Sequence, residues 1–540
     1  MKKLTLAFAA YVLVLGAFAA WRWHIWTYGT DTGTFTQVIA NAFGGFGDGP
    51  EQGTHFRFHW APLLAALWPL VAATRSGLTL QIVQPVLIGL CAFPLYGIAR
   101  HYVGDDRAFA YASLALLYPP LIAVAFTEFH EIALYPVLAL GLFWAAERAR
   151  WGWFALFALL GALVREEACI VLAIVGVAFG AIGLLRRHGV SRSFPDGGLL
   201  AGAPREPERL AAAGLFLGLV NVAALVVYGD LVLPRIGPWQ PSRFYEYSFA
   251  HGPVNVIAAL VTHPALLPQI ATLGRATYVL EALVPLAFLP LLSRWSLLAL
   301  PGFAVVLLAS DQIAWRMGSH YAAVWCPWLL LGALAALVQR PNPLRSYRAA
   351  FALCIAVLLV ANPMHVVHYV RPIYPHADAE RALALVPHSA HLVTHDEWFT
   401  HVAADHRNAT VFFCPYVDYV VYADDYPNAY FQSDIVPEIA RERASGQLRV
   451  IAQFGHVRAY RRTPDQGSRV GDCITPGNVR YRSLPASLRV PAYQTGRGLS
   501  LRFRAFIRHE REHPVERSRV EDFVARDPRP PRLTDRVSDI

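Results

Sequence analysis

The chain has 540 residues, of which 55% are hydrophobic and only 16% are charged, and its net charge is +9. Soluble domains carry about 25% charged residues, so this composition excludes an ordinary soluble enzyme, a coiled coil and a disordered chain. Nearly all basic residues are arginine, and many lie in short loops between apolar runs, where they set membrane orientation. We therefore expect an integral, multi-pass protein of the cytoplasmic (inner) membrane that contacts membrane lipids and binds no nucleic acid.

The first part of the chain, up to about residue 368, is a series of apolar runs close to the ~20 residues that a spanning helix needs. Eleven spans are predicted, at 4–20, 79–99, 108–126, 131–146, 151–164, 168–185, 210–233, 277–292, 295–309, 320–338 and 349–367. The first run follows Lys2 and Lys3 and also resembles a cleavable signal peptide. A further run at 60–73 contains Pro62 and Pro69, and it either spans or lies at the interface.

The loop charges favour one topology. If 60–73 does not span and the N-terminus is cytoplasmic, every cytoplasmic loop carries arginine, as the positive-inside rule requires. These loops are Arg100–Arg107, Glu147–Arg150, Arg186–Arg209, Ser293–Arg294 and Gln339–Arg348. The outer side then receives the large first loop 21–78, the turns 127–130 and 165–167, the loops 234–276 and 310–319, and the C-terminal part. If 60–73 does span, all later loops exchange sides.

The C-terminal part is more polar. Residues 369–495 are predicted to form a small extracytoplasmic α/β domain, with strand-like runs at 391–394, 410–413, 418–422, 449–454 and 457–461 and helices at 379–385 and 435–445. Cys414 and Cys473 could form a disulfide there if the compartment is oxidising. Residues 496–540 are arginine-rich and predicted to be a disordered tail. The expected fold class is thus mainly α: a membrane domain, 1–368, that is a polytopic helical bundle, followed by this α/β domain.

Polar and ionisable residues recur in the predicted outer loops, where charge near the membrane is costly and usually functional. In chain order they are Asp31, Gln37, Asn41, His55, His59, Glu128, His130, Glu131, Arg165, Glu166, Glu167, Asp311, Arg316, His320 and Tyr321. Structural interpretations remain open for each group. Asp31 could cap a helix over 34–43, residues 128–131 could be a solvated turn, Arg165 could form an ion pair with Glu166 or Glu167, and His320–Tyr321 could anchor at the interface.

Together these residues suit group transfer from a lipid phosphate. Asp31 would be the general base that takes a proton from an acceptor hydroxyl. Arg165 and Arg316 would hold the phosphate, with Gln37, Asn41, Glu166, Glu167, His320 and Tyr321 as further substrate-binding residues. His59, Glu128, His130 and Glu131 offer nitrogen and oxygen ligands that suit a divalent cation, Mg²⁺, Mn²⁺ or Zn²⁺.

The order of short motifs carries a resemblance. The motifs are DxGxFxQ (31–37), HxxPLL (59–64), a glutamine at position 84 followed by FPLYGIAR (93–100), EFHE (128–131), VREE (164–167) and SHYAAVWCPWL (319–329). Over about residues 20–460 the chain resembles a family of uncharacterised polytopic bacterial and archaeal membrane proteins. That family is in turn similar to the GT-C superfamily of membrane glycosyltransferases.

The GT-C resemblance implies a polyprenyl-phosphate-sugar donor, an extracytoplasmic active site, inversion at the transferred sugar, and Asp31 as the catalytic acidic residue. It also implies that residues 59–63 belong to an interfacial helix. Thr30, Glu128, Glu131 and Arg165 depart from the pattern expected of the family, which leaves the metal ligands open. A lipid or glycan transporter and a non-catalytic membrane scaffold of the same fold are the alternatives.

Overall fold

The computed structural model describes residues 1–51, 53–190, 197–236, 253–309, 313–340, 343–360, 376–414, 417–423 and 432–463. Asp311, Cys473 and the tail 496–540 lie outside these ranges. Most described residues are helical. The helices before residue 190 are α1 (Lys2–His24), α2 (Thr30–Ala40), α3 (Trp68–Thr74), α4 (Leu78–Gly89), α5 (Ala92–Val103), α6 (Asp105–Leu117), α7 (Pro119–Phe126), α8 (Tyr135–Glu147), α9 (Trp151–Gly161) and α10 (Glu166–Arg187).

The later helices are shorter on average. They are α11 (Pro207–Val226), α12 (Leu233–Ile236), α13 (Pro253–Thr262), α14 (Leu266–Ile270), α15 (Leu273–Leu283), α16 (Leu300–Leu307), α17 (Cys326–Val338), α18 (Pro343–Val360), α19 (His376–Leu383), α20 (Asp396–Val402) and α21 (Gln432–Ala444). The strands are β1 (Gly47–Asp48), β2 (Gly53–Thr54), β3 (Leu392–Thr394), β4 (Ala409–Thr410), β5 (Tyr419–Tyr422), β6 (Leu448–Phe454) and β7 (Val457–Arg462).

Within the described ranges, four helical segments are long and apolar enough to cross a membrane: Lys2–His24, Leu78–Val103, Glu166–Arg187 and Pro207–Ile236. The pair α6 and α7, bent by 51° at its junction, makes a fifth if it is one broken span. Other predicted spans form shorter apolar helices such as α9 and α17, often with proline in the first turn, where its fixed φ favours a helix start. The structure thus supports a multi-pass helical protein with fewer long spans than the eleven predicted.

The run at 60–73 forms a short apolar helical segment, Pro62–Thr74. At roughly 1.5–2 Å per residue it extends about 20–25 Å, which is less than the ~30 Å hydrocarbon core. The spans predicted at 151–164 and 320–338 form helices that are just as short, so length does not distinguish this run from them.

The two ends of helix α1 contact different loops: its start contacts the arginine-bearing loops, and its end contacts the loops that carry the candidate site residues. At its start, Lys3 Nζ lies 2.8 Å from Asp106 Oδ1, in one of the arginine-bearing loops. At its end, buried Arg22 donates to the carbonyl oxygens of Phe126 and Thr27, beside the start of α2. The arginine-bearing loops and the loops rich in candidate site residues therefore lie at opposite ends of a spanning helix.

Further contacts join the arginine-bearing loops. Glu147 Oε2 accepts from the backbone N–H of Leu199 at 2.8 Å, and Arg205 lies 2.8 Å from His101 Nε2. Gln339 donates to the carbonyl of Leu200. The loops that follow four different predicted spans thus meet at one end of the bundle, as the charge pattern predicted.

The C-terminal α/β region matches its prediction closely. Its five-stranded sheet has the order β4-β3-β5-β7-β6, with β3 parallel to both β4 and β5 and with β7 antiparallel to β5 and β6. Short strand-like runs produced the strand predictions, and Val420, Val421 and Tyr422 of β5 are buried in the core of this region. The sequence analysis missed α20, because its seven residues are too few for a periodic pattern.

Candidate functional site

The start of α2 is the centre of the candidate site. The helix begins at Thr30, so Asp31 lies in its first turn and is not the cap of a helix over 34–43, as one interpretation had it. The capping acceptor comes from another loop: Glu128 Oε2 accepts from the Thr32 backbone N–H at 2.9 Å and from the Thr32 hydroxyl at 3.2 Å. Because Glu128 satisfies the helix start, the carboxylate of Asp31 is available for other contacts.

Asp31 pairs with His130. Asp31 Oδ2 lies 3.3 Å from His130 Nε2, and the Asp31 side chain is 57% exposed. His130 Nδ1 lies 3.0 Å from the carbonyl oxygen of Glu128. Both ring nitrogens thus face acceptors, an arrangement that only the doubly protonated imidazolium satisfies.

The electrostatics agree with this geometry. Burial lowers the pKa of His130, but the charge of Asp31 and its hydrogen bond outweigh that effect, so the pKa lies above its ordinary value. Desolvation by the surrounding protein raises the pKa of Asp31. The charge and hydrogen bond of His130 and the charge of Arg165 lower it by more, so the pKa lies below its ordinary value. Both shifts favour the charged pair of an aspartate and an imidazolium, with the carboxylate accessible to solvent.

His320 packs directly on this pair. Its ring stacks on the ring of His130 at a centroid distance of 3.4 Å and an angle of 19°. Burial, then the charges of His130 and Arg165, hold the pKa of His320 well below its ordinary value, so it is a neutral imidazole. Its Nε2 is buried and has no hydrogen-bond partner among the described residues, so an unsatisfied polar atom lies beside His130.

Arg165 is the centre of a second, buried network. It is 2% exposed, and its guanidinium donates to Glu167 at 2.7 Å and lies 3.1 Å from Glu131 Oε1. Another of its nitrogens lies 3.0 Å from His59 Nε2, while His59 Nδ1 lies 2.8 Å from Glu166. The structural ion-pair interpretation of Arg165 fits these contacts, because all three guanidinium nitrogens already have partners.

The predicted metal ligands do not form one group. Glu128 and His130 face the start of α2, whereas Glu131 turns toward Arg165. Within the described part of the chain, His59 comes together with Glu166 and Glu167, with ligand atoms within 4.8 Å of one another. Arg165 already supplies positive charge to that group. The predicted set of His59, Glu128, His130 and Glu131 therefore does not fit a single cation.

Two predicted substrate-binding residues serve instead as internal connectors. Gln37 donates to the carbonyls of His406 and Ala409 at 2.8 and 3.1 Å, and its amide oxygen accepts from Gly49 N–H at 2.9 Å. Asn41 donates to the carbonyl of Gly47 at 2.9 Å. Both amide hydrogens and the amide oxygen of Gln37 are thus occupied by internal hydrogen bonds. These bonds join α2 to the β1–β2 hairpin and to β4, so the side chain does not bind a ligand.

Tyr321 and Arg316 are the remaining predicted residues. Tyr321 lies under the guanidinium of Arg165, 5.5 Å from it to the ring centroid. Arg316 is exposed, and its side chain forms no ion pair or hydrogen bond with the described residues. Because Arg165 is fully engaged, Arg316 is the guanidinium near His320 in sequence that remains available to an anion.

Two residues near Asp31 were not assigned a role from the sequence. Gln84 donates to the carbonyls of Thr127 and Glu128 and accepts from the His130 N–H at 3.0 Å. It is a buried amide within an apolar helix, and that unusual position is a signal that could have identified it. Asp396 of α20 lies beside Gly29, where an added Cβ would be 2.9 Å from Glu128 and 3.7 Å from Asp396.

Sequence comparison places this architecture in a family. Residues 22–438 match the family described as "Predicted membrane protein (DUF2079)", and the chain belongs to it. It is an integral, multi-pass membrane protein. No curated protein matches the chain.

Solved structures give distant likenesses. ArnT from Cupriavidus metallidurans bound to undecaprenyl phosphate aligns with 86% of this chain and 99% of its own, at 13% identity and a TM-score of 0.47. The oligosaccharyltransferase AglB from Archaeoglobus fulgidus, in complex with an inhibitory peptide and a dolichol-phosphate, aligns with 77% of this chain and 69% of its own, at 14% identity and a TM-score of 0.38. Likenesses at this level do not establish a shared fold.

Proposed function

We propose that this member of the DUF2079 family is an inverting membrane glycosyltransferase of GT-C type that takes its sugar from a polyprenyl phosphate. The acceptor hydroxyl, on an extracytoplasmic lipid, glycan or protein, attacks the anomeric carbon. The bond between that carbon and the phosphate oxygen breaks, and the polyprenyl phosphate leaves. Asp31 takes the proton of the acceptor hydroxyl.

The observation that carries this proposal is the accessible, ionised Asp31 held against His130. A carboxylate fixed by a buried imidazolium keeps one oxygen in place while its exposed part faces an incoming hydroxyl. In this proposal the exposed Arg316 supplies positive charge to the phosphate, and His320 holds the ring of His130 by stacking. No step is assigned to a metal ion, because the predicted ligands do not converge.

The disulfide at Cys414 supports an extracytoplasmic site, because disulfides persist in oxidising compartments. Thr400 of the α/β region donates to the carbonyl of Gly29 at 2.6 Å, immediately before α2. The region that carries the disulfide is therefore in contact with the candidate site. We infer that both lie outside the cytoplasm.

The test uses the full-length protein in vesicles with radiolabelled hexoses on undecaprenyl phosphate. The wild type is expected to release undecaprenyl phosphate and label an acceptor, and Asp31→Asn is expected to reduce the rate by about 10²–10⁴-fold without changing insertion or melting temperature. Asp105→Asn, an aspartate at the opposite end of the bundle, is the matched control. Wild-type rates in Asp31→Asn would exclude this base.

A non-catalytic membrane scaffold of the same fold is the second candidate. It is favoured by the use of Gln37, Asn41 and Arg165 in internal contacts. Undecaprenyl phosphate that raises the melting temperature of the wild type but is never released from any sugar donor would identify the scaffold. Release of undecaprenyl phosphate by the wild type excludes it.

A further inference from the structure

A second cluster of ligand-type side chains lies outside the candidate active site, on the β1–β2 hairpin. Asp48 ends β1, Glu51 lies in the turn, and His55 follows β2. All three are buried, at 6%, 7% and 1% exposure. Their ligand atoms lie within 4.8 Å of one another, a separation that a single cation between them would bridge.

The individual contacts leave coordinating atoms unused. Both carboxylate oxygens of Glu51 face His55 Nδ1, at 3.0 and 2.8 Å. Asp48 Oδ1 accepts from the backbone N–H of Glu51 at 2.7 Å, whereas Asp48 Oδ2 and His55 Nε2 are buried without a hydrogen-bond partner in the described part of the chain. A buried carboxylate oxygen without a partner is costly, and a bound cation would satisfy it.

The positive charge that such a cluster needs is not supplied by the side chains around Asp48. Within the described residues, neither arginine nor lysine forms an ion pair with Asp48. This distinguishes the hairpin from the group of His59, Glu166 and Glu167, where Arg165 is in contact.

We propose that Asp48, Glu51 and His55 bind a divalent first-row transition-metal ion, Zn²⁺ or Mn²⁺. One imidazole nitrogen combined with carboxylate oxygens suits these ions better than Ca²⁺ or Mg²⁺, which favour oxygen alone. Asp48 also lines a cavity of about 210 Å³ between the hairpin and β4, together with Gly49 and Thr410. Of the three proposed ligands, Asp48 is the one that borders this cavity.

The ion has a structural role. Phe35 lies between the two sites, with its ring centroid 5.3 Å from that of His55 and 5.3 Å from that of His130. The hairpin also holds Gln37 through Gly49 and holds Asn41 through Gly47. A cation that fixes the hairpin therefore fixes α2 and its contact with β4, independently of whether Asp31 performs transfer.

Metal content of the full-length, detergent-purified protein tests the site. The protein is treated with chelator, reloaded with Zn²⁺ or Mn²⁺, desalted and measured by inductively coupled plasma mass spectrometry. The wild type is expected to retain one equivalent that is lost in Asp48→Asn and in His55→Gln but kept in Asp31→Asn and in Asp105→Asn. An equivalent that the two hairpin variants retain, or none in the reloaded wild type, overturns the proposal.

Melting temperature provides a readout that does not depend on variants. Chelation is expected to lower the melting temperature of the wild type, and Zn²⁺ or Mn²⁺, but not Mg²⁺, is expected to restore it, because binding only to the folded state stabilises that state. Equal melting temperatures before and after chelation of protein that had carried the ion would contradict the structural role. None of these measurements requires glycosyl transfer.

Discussion

The buried side chain of Glu128 makes the stability of the fold depend on pH. Burial, then the charge of Asp31, raises the pKa of Glu128 to about 7, while the Thr32 N–H opposes the rise. The ordinary value is 4.5, so protonation is favoured by folding. The stability from this group is fully present below about pH 4.5 and is lost as the pH rises through 7.

Replacement of Glu128 tests this linkage. Glu128→Gln keeps an oxygen that can accept from Thr32 but has no charge to bury, so its melting temperature is expected to exceed that of the wild type by a few degrees at pH 8 and to equal it near pH 4.5. Circular dichroism of the detergent-purified protein measures both. Glu208→Gln, on an exposed side chain, is the control, and a Glu128→Gln difference that is the same at both pH values would disprove the linkage.

At the scale of elements, α2 explains the spacing of the DxGxFxQ motif. Asp31 faces His130, Gly33 lies where an added Cβ would overlap the ring of Phe399, Phe35 packs between His55 and His130, and Gln37 binds the backbone of β4. The residues of α2 from Thr32 to Ile39 are all buried. The motif therefore encodes a helix surrounded by other elements, with only Asp31 left accessible.

The packing of the β1–β2 hairpin on β4 gives a testable prediction about these elements. An added Cβ on Gly49 would overlap the carbonyl group of Ala409 in β4, so Gly49→Ala is expected to destabilise the protein by about 1–3 kcal/mol. Gly44→Ala, in the same loop but with nothing within 4 Å of its Cβ position, should leave stability unchanged. Thermal unfolding of the full chain compares them, and equal melting temperatures would show that the hairpin does not pack on β4.

At the scale of the whole molecule, the chain brings two sets of loops to opposite ends of α1. The arginine-bearing loops meet near Lys3, and the candidate site and the α/β region meet near Arg22. The arginine bias predicts that the first set lies in the cytoplasm. The disulfide at Cys414 is consistent with an oxidising compartment for the second.

Reporter fusions test this orientation. A fluorescent protein fused after residue 190 is expected to be fluorescent, which requires the cytoplasm, and alkaline phosphatase fused after residue 463 is expected to be active, which requires the periplasm or its equivalent. Phosphatase fused after residue 45, in the first outer loop, is the matched control. The reverse pattern would place Asp31 in the cytoplasm and exclude a donor on the outer leaflet.

The amino-acid sequence by itself determined the membrane class, the grouping of loops by side and the strands of the α/β region, because hydrophobic runs, arginine bias and short strand-like runs are local properties. Only the tertiary structure decided which side chains meet. Gln37 and His406 are 369 positions apart. No local pattern shows that the Gln37 amide binds backbone groups of other elements, or that all three guanidinium nitrogens of Arg165 have partners. Likewise, Glu128 and Glu131 are three positions apart but face different networks, because α2 contacts one side of their loop and Arg165 the other.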